Sequence, residues 1–168
     1  MVIVEVSEIP SVDQIIDVPM DNLAAVYNAC QSMRDVCDRE NGIDLSAVQV
    51  GIPWKLFLVK GDGTCPLVPK GEYGYFANTN YKATSEEQVV SLEGCLSIRS
   101  QDGQLRSFEV IRHRIIEITG YRFYLENLSF DKFAETLGVD QEGVVFQHEI
   151  DHQLGILISE VGKEVFVW

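Results

Sequence analysis

His148-Glu149-Ile150-Asp151-His152 reads H-E-x-x-H. On a helix, positions four apart sit one above the other, so the two imidazoles face the same way. Such a pair can hold a divalent metal, and the glutamate between them can act on a metal-activated water. The chain has only 3 histidines, and two of them stand here. Five residues alone fit a solvated helix face as well, so the rest of the sequence must supply what a metal site needs.

A catalytic site normally takes three protein ligands and keeps one position open. His113 is a poor third ligand. It lies in Arg112-His113-Arg114, a basic stretch that repels a cation and reads as an exposed strand segment. Cys95 lies in Glu93-Gly94-Cys95-Leu96-Ser97, where Gly94 lets the backbone approach closely. Its thiolate would complete a Cys-His-His set, although a cysteine in a strand can equally be a small buried apolar residue. A third segment, Gly42-Ile43-Asp44-Leu45-Ser46-Ala47-Val48-Gln49-Val50-Gly51, sets one amide side chain among apolar neighbours. A buried amide must find partners. For Gln49 the partner is either the oxygen of a polarised carbonyl or a second loop that the amide ties to its own.

The elements that position these residues follow from periodicity and punctuation. Pro10 and Pro19 break any long helix at the start. Asp21 is placed to cap a helix running to about Glu40, whose apolar positions are Leu23, Val26, Tyr27, Cys30, Met33 and Cys37. Asn41-Gly42 stops it. Residues 54–59, 74–81, 88–92, 108–111 and 114–119 read as strands; 121–128 follow Gly120, with Asn127 placed to turn the chain back. Residues 128–137 fit a strand or a short helix. Asp140 is placed to cap the helix that carries the histidines, and Gly155 to end it. Residues 156–158 read as a closing strand. Strands first and one late helix predict an α+β fold, with mostly antiparallel small sheets packed around a central C-terminal helix.

Composition narrows the partners. A chain of 168 residues suits one domain spanning residues 1–168, with 46% hydrophobic and 23% charged residues. The net charge of −13 argues against a nucleic-acid backbone or an anionic membrane as direct partner. No apolar run reaches the ~18 residues of a membrane span, and the first residues lack a signal peptide's basic and apolar regions. The expectation is a cytoplasmic monomer. Cys30 and Cys37, seven positions apart on one helix, sit about 10 Å from each other, too far for a disulfide, and read as buried apolar residues. Cys65 falls in a Gly/Pro-rich loop without an evident role.

Taken together, the three segments resemble the peptide deformylase family. That family carries G-φ-G-φ-A-A-x-Q, then E-G-C-L-S, then H-E-x-x-H, in this order. Glu93 to Ser97 matches the second motif in full, and Gln147 to His152 with Leu154-Gly155 is similar to the third. The resemblance implies hydrolysis of the formyl group from formyl-methionyl nascent peptides. It makes Cys95, His148 and His152 the metal ligands and Glu149 the general acid–base. Gln49 and the backbone N–H of Leu96 become the oxyanion donors. The native metal would be Fe²⁺, with Zn²⁺ or Ni²⁺ able to replace it; ligand type alone suggests zinc. An extended substrate would pair with the segments at Ile43 and Gly94, with Ile43, Val144 and Val145 at the methionine pocket.

Departures from the family pattern are as telling. Asp44 stands at the family's second glycine and Ser46 at its first alanine. Asp44 would add a carboxylate at the mouth of the site and favour basic over acidic residues after the methionine. Arg99 replaces a usual proline. Only 13 residues follow Gly155, too few for the ribosome-contacting tail helix of many bacterial members, so any approach to the ribosome exit region would lack it. In this the chain resembles short deformylases of bacteriophages, which implies the cytoplasm of a bacterium or of a phage's host. Two other readings stand beside this one: a different H-E-x-x-H metalloprotease, which would need neither Gln49 nor Glu93 to Ser97, and a deformylase-like peptide-binding module with altered catalysis.

Overall fold

The structure, a computed structural model, describes residues 1–166. Helix α1 spans Leu23–Arg39 and buries Val26, Ala29, Cys30, Met33, Val36 and Cys37 as one stripe. Its cap is Asn22, whose side chain accepts from the Ala25 N–H, one position later than the expected Asp21. The strands are β1 (Asp44–Ser46), β2 (Leu56–Lys60), β3 (Tyr73–Ala83), β4 (Gln88–Arg99), β5 (Leu105–His113), β6 (Ile115–Tyr124) and β7 (Ser129–Gly138). Helix α2 (Gly143–Gln153), the short α3 (Ile158–Val161) and β8 (Lys163–Val165) complete the order.

Two antiparallel sheets result, one ordered β1-β2-β3-β6-β7 and one β4-β5-β8. The α+β class and the central late helix are as the sequence predicts. β2 shows how the layers form. Its alternate residues Leu56 and Leu58 pack under α1, while Phe57 and Val59 face α2. The five-stranded sheet thus lies between the two helices. The inner face of the smaller sheet brings Cys95, Ile98, Phe108 and Val110 against Ile158 of α3.

Several boundaries differ from expectation for tertiary reasons. The strand expected at 114–119 runs on to Tyr124, because Gly120 supplies space inside it. A Cβ there would stand 2.7 Å from the Thr79 side chain, on the neighbouring strand. β4 runs on to Arg99 and takes in the whole Glu93–Ser97 segment. Residues 129–138 are a strand, paired along their length with β6. Residues 156–158 do not close a sheet. Ile158 opens α3, and the closing strand comes later at β8.

Among the described residues, neither Asp140 nor another side chain caps helix α2. Asp140 lies in a 3-10 turn, Val139–Gln141, and the cap position falls to Glu142 at φ 62°. Gly143 is needed because a Cβ would lie 2.6 Å from the Gly138 carbonyl oxygen. The helix is buried on nearly every side, including Phe146 through Gln153. Phe146 meets Phe76 edge-on at 4.9 Å and Phe57 at 5.6 Å. Phe146 and Ile150 anchor one face in the large sheet's core, which turns His148 and His152 towards β4. After Gln153 the helix ends as expected, with Gly155 left-handed at φ 73°.

Candidate metal centre

Cys95, His148 and His152 come together at the centre of the fold, all buried, with their ligand atoms within 4.8 Å of one another. The two Nε2 atoms are 3.2 Å apart, and Cys95 Sγ is 3.5 Å from Nε2 of His152. The protonation of His148 follows from its neighbour. Its Nδ1 lies 2.9 Å from Oε2 of Glu93. Glu93 is buried, which alone would raise its pKa, but the Arg112 guanidinium and His148 outweigh that and hold it at about 2. An ionised carboxylate only accepts, so Nδ1 carries a proton; although burial opposes it, the bonds to Cys95 and Glu93 hold the imidazole well above its ordinary range, and Nε2 would turn a lone pair to the centre as a metal ion displaces its proton. Burial and the nearby His148 push His152 well below the ordinary imidazole range, which keeps it a neutral donor. A thiol and two imidazole nitrogens converging in a dry site fit a divalent cation.

Behind the histidines runs a buried ion cluster. Arg112 donates to both oxygens of Glu93 at 2.7 Å and to Asp151 on α2. The side chain of Arg112 is only 4% exposed, so the expectation of an exposed basic segment fails at this residue. The signal was present in the alternation of β5. Phe108, Val110 and Arg112 share its buried face, and a cation there requires partners. His113, on the other face, is half-buried and away from the centre. Gln147 ties α2 to this strand, accepting from the His113 N–H and donating to its carbonyl. Glu93, Arg112 and Asp151 are the residues whose roles sequence reasoning missed.

Glu149 is fully buried, and neither of its oxygens has a hydrogen-bond partner among the described residues. Burial, with Asp44 as a second cause, pushes its carboxyl well above the usual range. One of its oxygens lies 3.9 Å from His148 Nε2. A buried carboxyl left without partners beside a ligand triangle is poised for a water or a substrate atom.

Gln49 lies in a 3-10 turn, Ala47–Val50, directly after β1. Its Oε1 accepts from the Ser46 N–H at 2.8 Å, which fixes the amide orientation. Nε2 then donates to Cys95 Sγ at 3.3 Å and Ser97 Oγ at 3.1 Å. The Ser46 hydroxyl turns to the Leu56 carbonyl, away from the ligands. Of the two sequence alternatives for Gln49, the loop-tying one is present, and the same amide also reaches the ligand thiol.

A cavity of about 290 Å³ opens beside the ligands, lined by Ile43, Asp44, Gly94, Val144, Val145 and His148 among others. It thus gathers all five residues expected to contact a peptide. Leu96, itself buried, also lines it. Gly94 is not demanded by packing within the chain: a Cβ would meet the Arg106 carbonyl only at 3.8 Å. Its bare backbone instead leaves that wall of the cavity open. Burial raises the Asp44 carboxyl above its usual range. β1 and β4, which carry Asp44 and Gly94, are edge strands of their two sheets.

Comparison with known proteins agrees with this geometry. The sequence model of the polypeptide deformylase family matches residues 3–165. The peptide deformylase of Syntrophomonas wolfei is 30% identical, with 92% of this chain and 95% of the relative covered. A solved variant of Arabidopsis thaliana peptide deformylase 1B superposes with a TM-score of 0.69 at 27% identity, covering 96% of this chain and 80% of that one. A probable peptide deformylase from synechococcus phage S-SSM7 gives 0.65 at 25% identity, with 95% and 97% covered.

Proposed function

The chain belongs to the polypeptide deformylase family, and from that premise we propose how its own residues carry the reaction. It is a metal-dependent hydrolase that removes the formyl group from the N-formylmethionine of nascent peptides. In our reading Cys95, His148 and His152 hold the metal, Fe²⁺ by family resemblance, with Zn²⁺ or Ni²⁺ accepted by the same thiolate and imidazoles. Bound there, a divalent ion supplies Lewis acidity that makes water nucleophilic near neutral pH and polarises a carbonyl oxygen.

The peptide lies extended between the two free strand edges, at Ile43 and Asp44 on one side and Gly94 on the other. Its methionine side chain enters the cavity against Val144, Val145 and Leu96. Glu149 takes a proton from the attacking water as its oxygen adds to the formyl carbon. Gln49 Nε2, exchanging its bond to Ser97 for one to the substrate, and the Leu96 N–H donate to the formyl oxygen as negative charge grows there. Glu149 then returns the proton to the amide nitrogen as the C–N bond breaks, leaving formate and a free amine. The raised proton affinity of Glu149 strengthens the carboxylate as the base of the first step.

The observation that carries this reading is the unpartnered, fully buried carboxyl of Glu149 beside the Cys-His-His triangle. We place the enzyme in the cytoplasm as a one-domain monomer meeting peptides near the ribosome exit region. No described helix is long and apolar enough to cross a membrane. The test is to load the protein with Fe²⁺ without oxygen and offer formyl-, acetyl- and unblocked methionyl peptides. Formate should appear from the first alone, with one free amine per formate. Internal cleavage of the unblocked peptide would instead favour a metalloprotease.

A further inference from the structure

β4 shifts its register where the site depends on it most. Gly94 faces Ser107 and Arg99 faces Leu105, so five steps along β4 answer two along β5. Cys95 to Ile98 therefore have no register partner on β5 and form a bulge in the β4–β5 pairing. Side chains grip it. Gln49 reaches Cys95 and Ser97 from the direction of β1. From the other direction comes the Arg99 guanidinium. Its Nε donates to the Leu96 carbonyl at 3.2 Å, one terminal nitrogen to the Gly103 carbonyl at 3.0 Å, and the other to Glu40 at 3.2 Å. Among the described residues, no other side chain donates to a backbone carbonyl of Cys95 to Ile98.

We propose that Arg99 is a positioning residue for deformylation, clamping the bulge that carries Cys95 and the Leu96 N–H to the end of α1 and to the turn before β5. The role given to the Leu96 N–H rests on the deformylase reading. The hold on Cys95 does not. A planar fork with donors in fixed directions can grip a carbonyl on the bulge, a carbonyl in the turn and a carboxylate on the helix together, which a single ammonium cannot do. Glu40 is itself braced, with Arg39 Nε at 3.5 Å from its other oxygen. The clamp lies at the surface, its side chains 35% and 31% exposed, and outside all three apolar clusters. Its loss should therefore loosen the bulge and leave the core in place. A misplacement of about 1 Å at a reacting group can cost on the order of 10²-fold in rate, so a small local shift is enough to matter.

The test uses wild type, Arg99→Ala, Arg99→Lys and Glu40→Gln, each loaded with Co²⁺ and assayed on a formyl-methionyl peptide. Two readouts are followed: the thiolate-to-cobalt absorption band with cobalt release to a chelator, and the split of kcat against KM. Arg99→Ala should shift the band, release cobalt about tenfold faster and lower kcat about tenfold with KM within about twofold. Arg99→Lys should recover less than half of either loss, and Glu40→Gln should fall between. Wild-type cobalt release and kcat in both Arg99→Ala and Glu40→Gln would overturn the proposal, as would full recovery by lysine. If Arg99→Ala does not fold, Glu40→Gln, which removes only the anchor, decides by the same readouts. Faster cobalt release from the variants beside a wild type that frees no formate would uphold the clamp and reject the deformylase reading.

Discussion

The two histidines and the cysteine are held at one point by different means. His148 and His152 ride on a helix whose own spacing fixes them, and Phe146 and Ile150 root that helix in the large core. The cluster of Glu93, Arg112 and Asp151 locks it from behind. Cys95 rides on a bulge where β4 shifts register against β5, and single side chains grip it, Gln49 at Cys95 itself and Arg99 at the next residue's carbonyl. On the helix side, position is inseparable from folding. On the strand side, position depends on hydrogen bonds that can be removed one at a time. Losses on the first side should appear mainly as stability, and on the second mainly as rate.

The largest stability effect should come from Arg112→Ala. It strips the cation from two buried carboxylates and should cost about 3–5 kcal/mol in denaturant unfolding. A cost below about 1 kcal/mol would erase the distinction between the two sides. On the strand side, Gln49→Ala should lower kcat by about 10²–10³-fold while the denaturation midpoint moves far less than in Arg112→Ala. The reverse ranking would invert the comparison.

Glu93→Gln probes the join between the two. The loss of an ionised acceptor for His148 should weaken metal binding by about 10–100-fold, read by competition with a chelator. It should also change the acid limb of stability. Glu93 falls from 4.5 to about 2 on folding, so its contribution is complete above about pH 4.5 and fades as pH drops towards 2. In metal-free protein the variant should show a flatter stability curve across that window. An unchanged curve would mean that Glu93 is not held as an ion. The smallest effect belongs to Asp44→Asn. Wild type should prefer Lys over Glu after the methionine by roughly fivefold in kcat/KM, as about 1 kcal/mol of charge interaction allows, and the variant should lose that preference. Equal values in wild type would reject a selective role for Asp44.

Sequence legibility divides along the same line. The histidine pair can be read because helical spacing is local, and the α1 stripe for the same reason. Cys95 and Gln49 gain meaning only from other segments, and the resemblance to a family supplied that order. Arg112 reads as exposed when its strand is stopped at residue 111. Carrying the alternation of Phe108 and Val110 one step further places it inside. The cap at Glu142 and the run through Gly120 depend on contacts with Gly138 and Thr79, distant or irregular enough that no local pattern announces them. Ile156 to Ile158 has the composition of a strand, yet Ile158 fills the small sheet's core from the start of a helix.

The central claim is that Glu149 moves the proton in formyl hydrolysis at the Cys95, His148 and His152 centre. The most direct test is the rate of formate release from a formyl-methionyl peptide by wild type and Glu149→Ala, each measured at equal bound metal. A loss of about 10²–10⁴-fold is expected in the variant. A variant within about tenfold of wild type, with its metal intact, would contradict it.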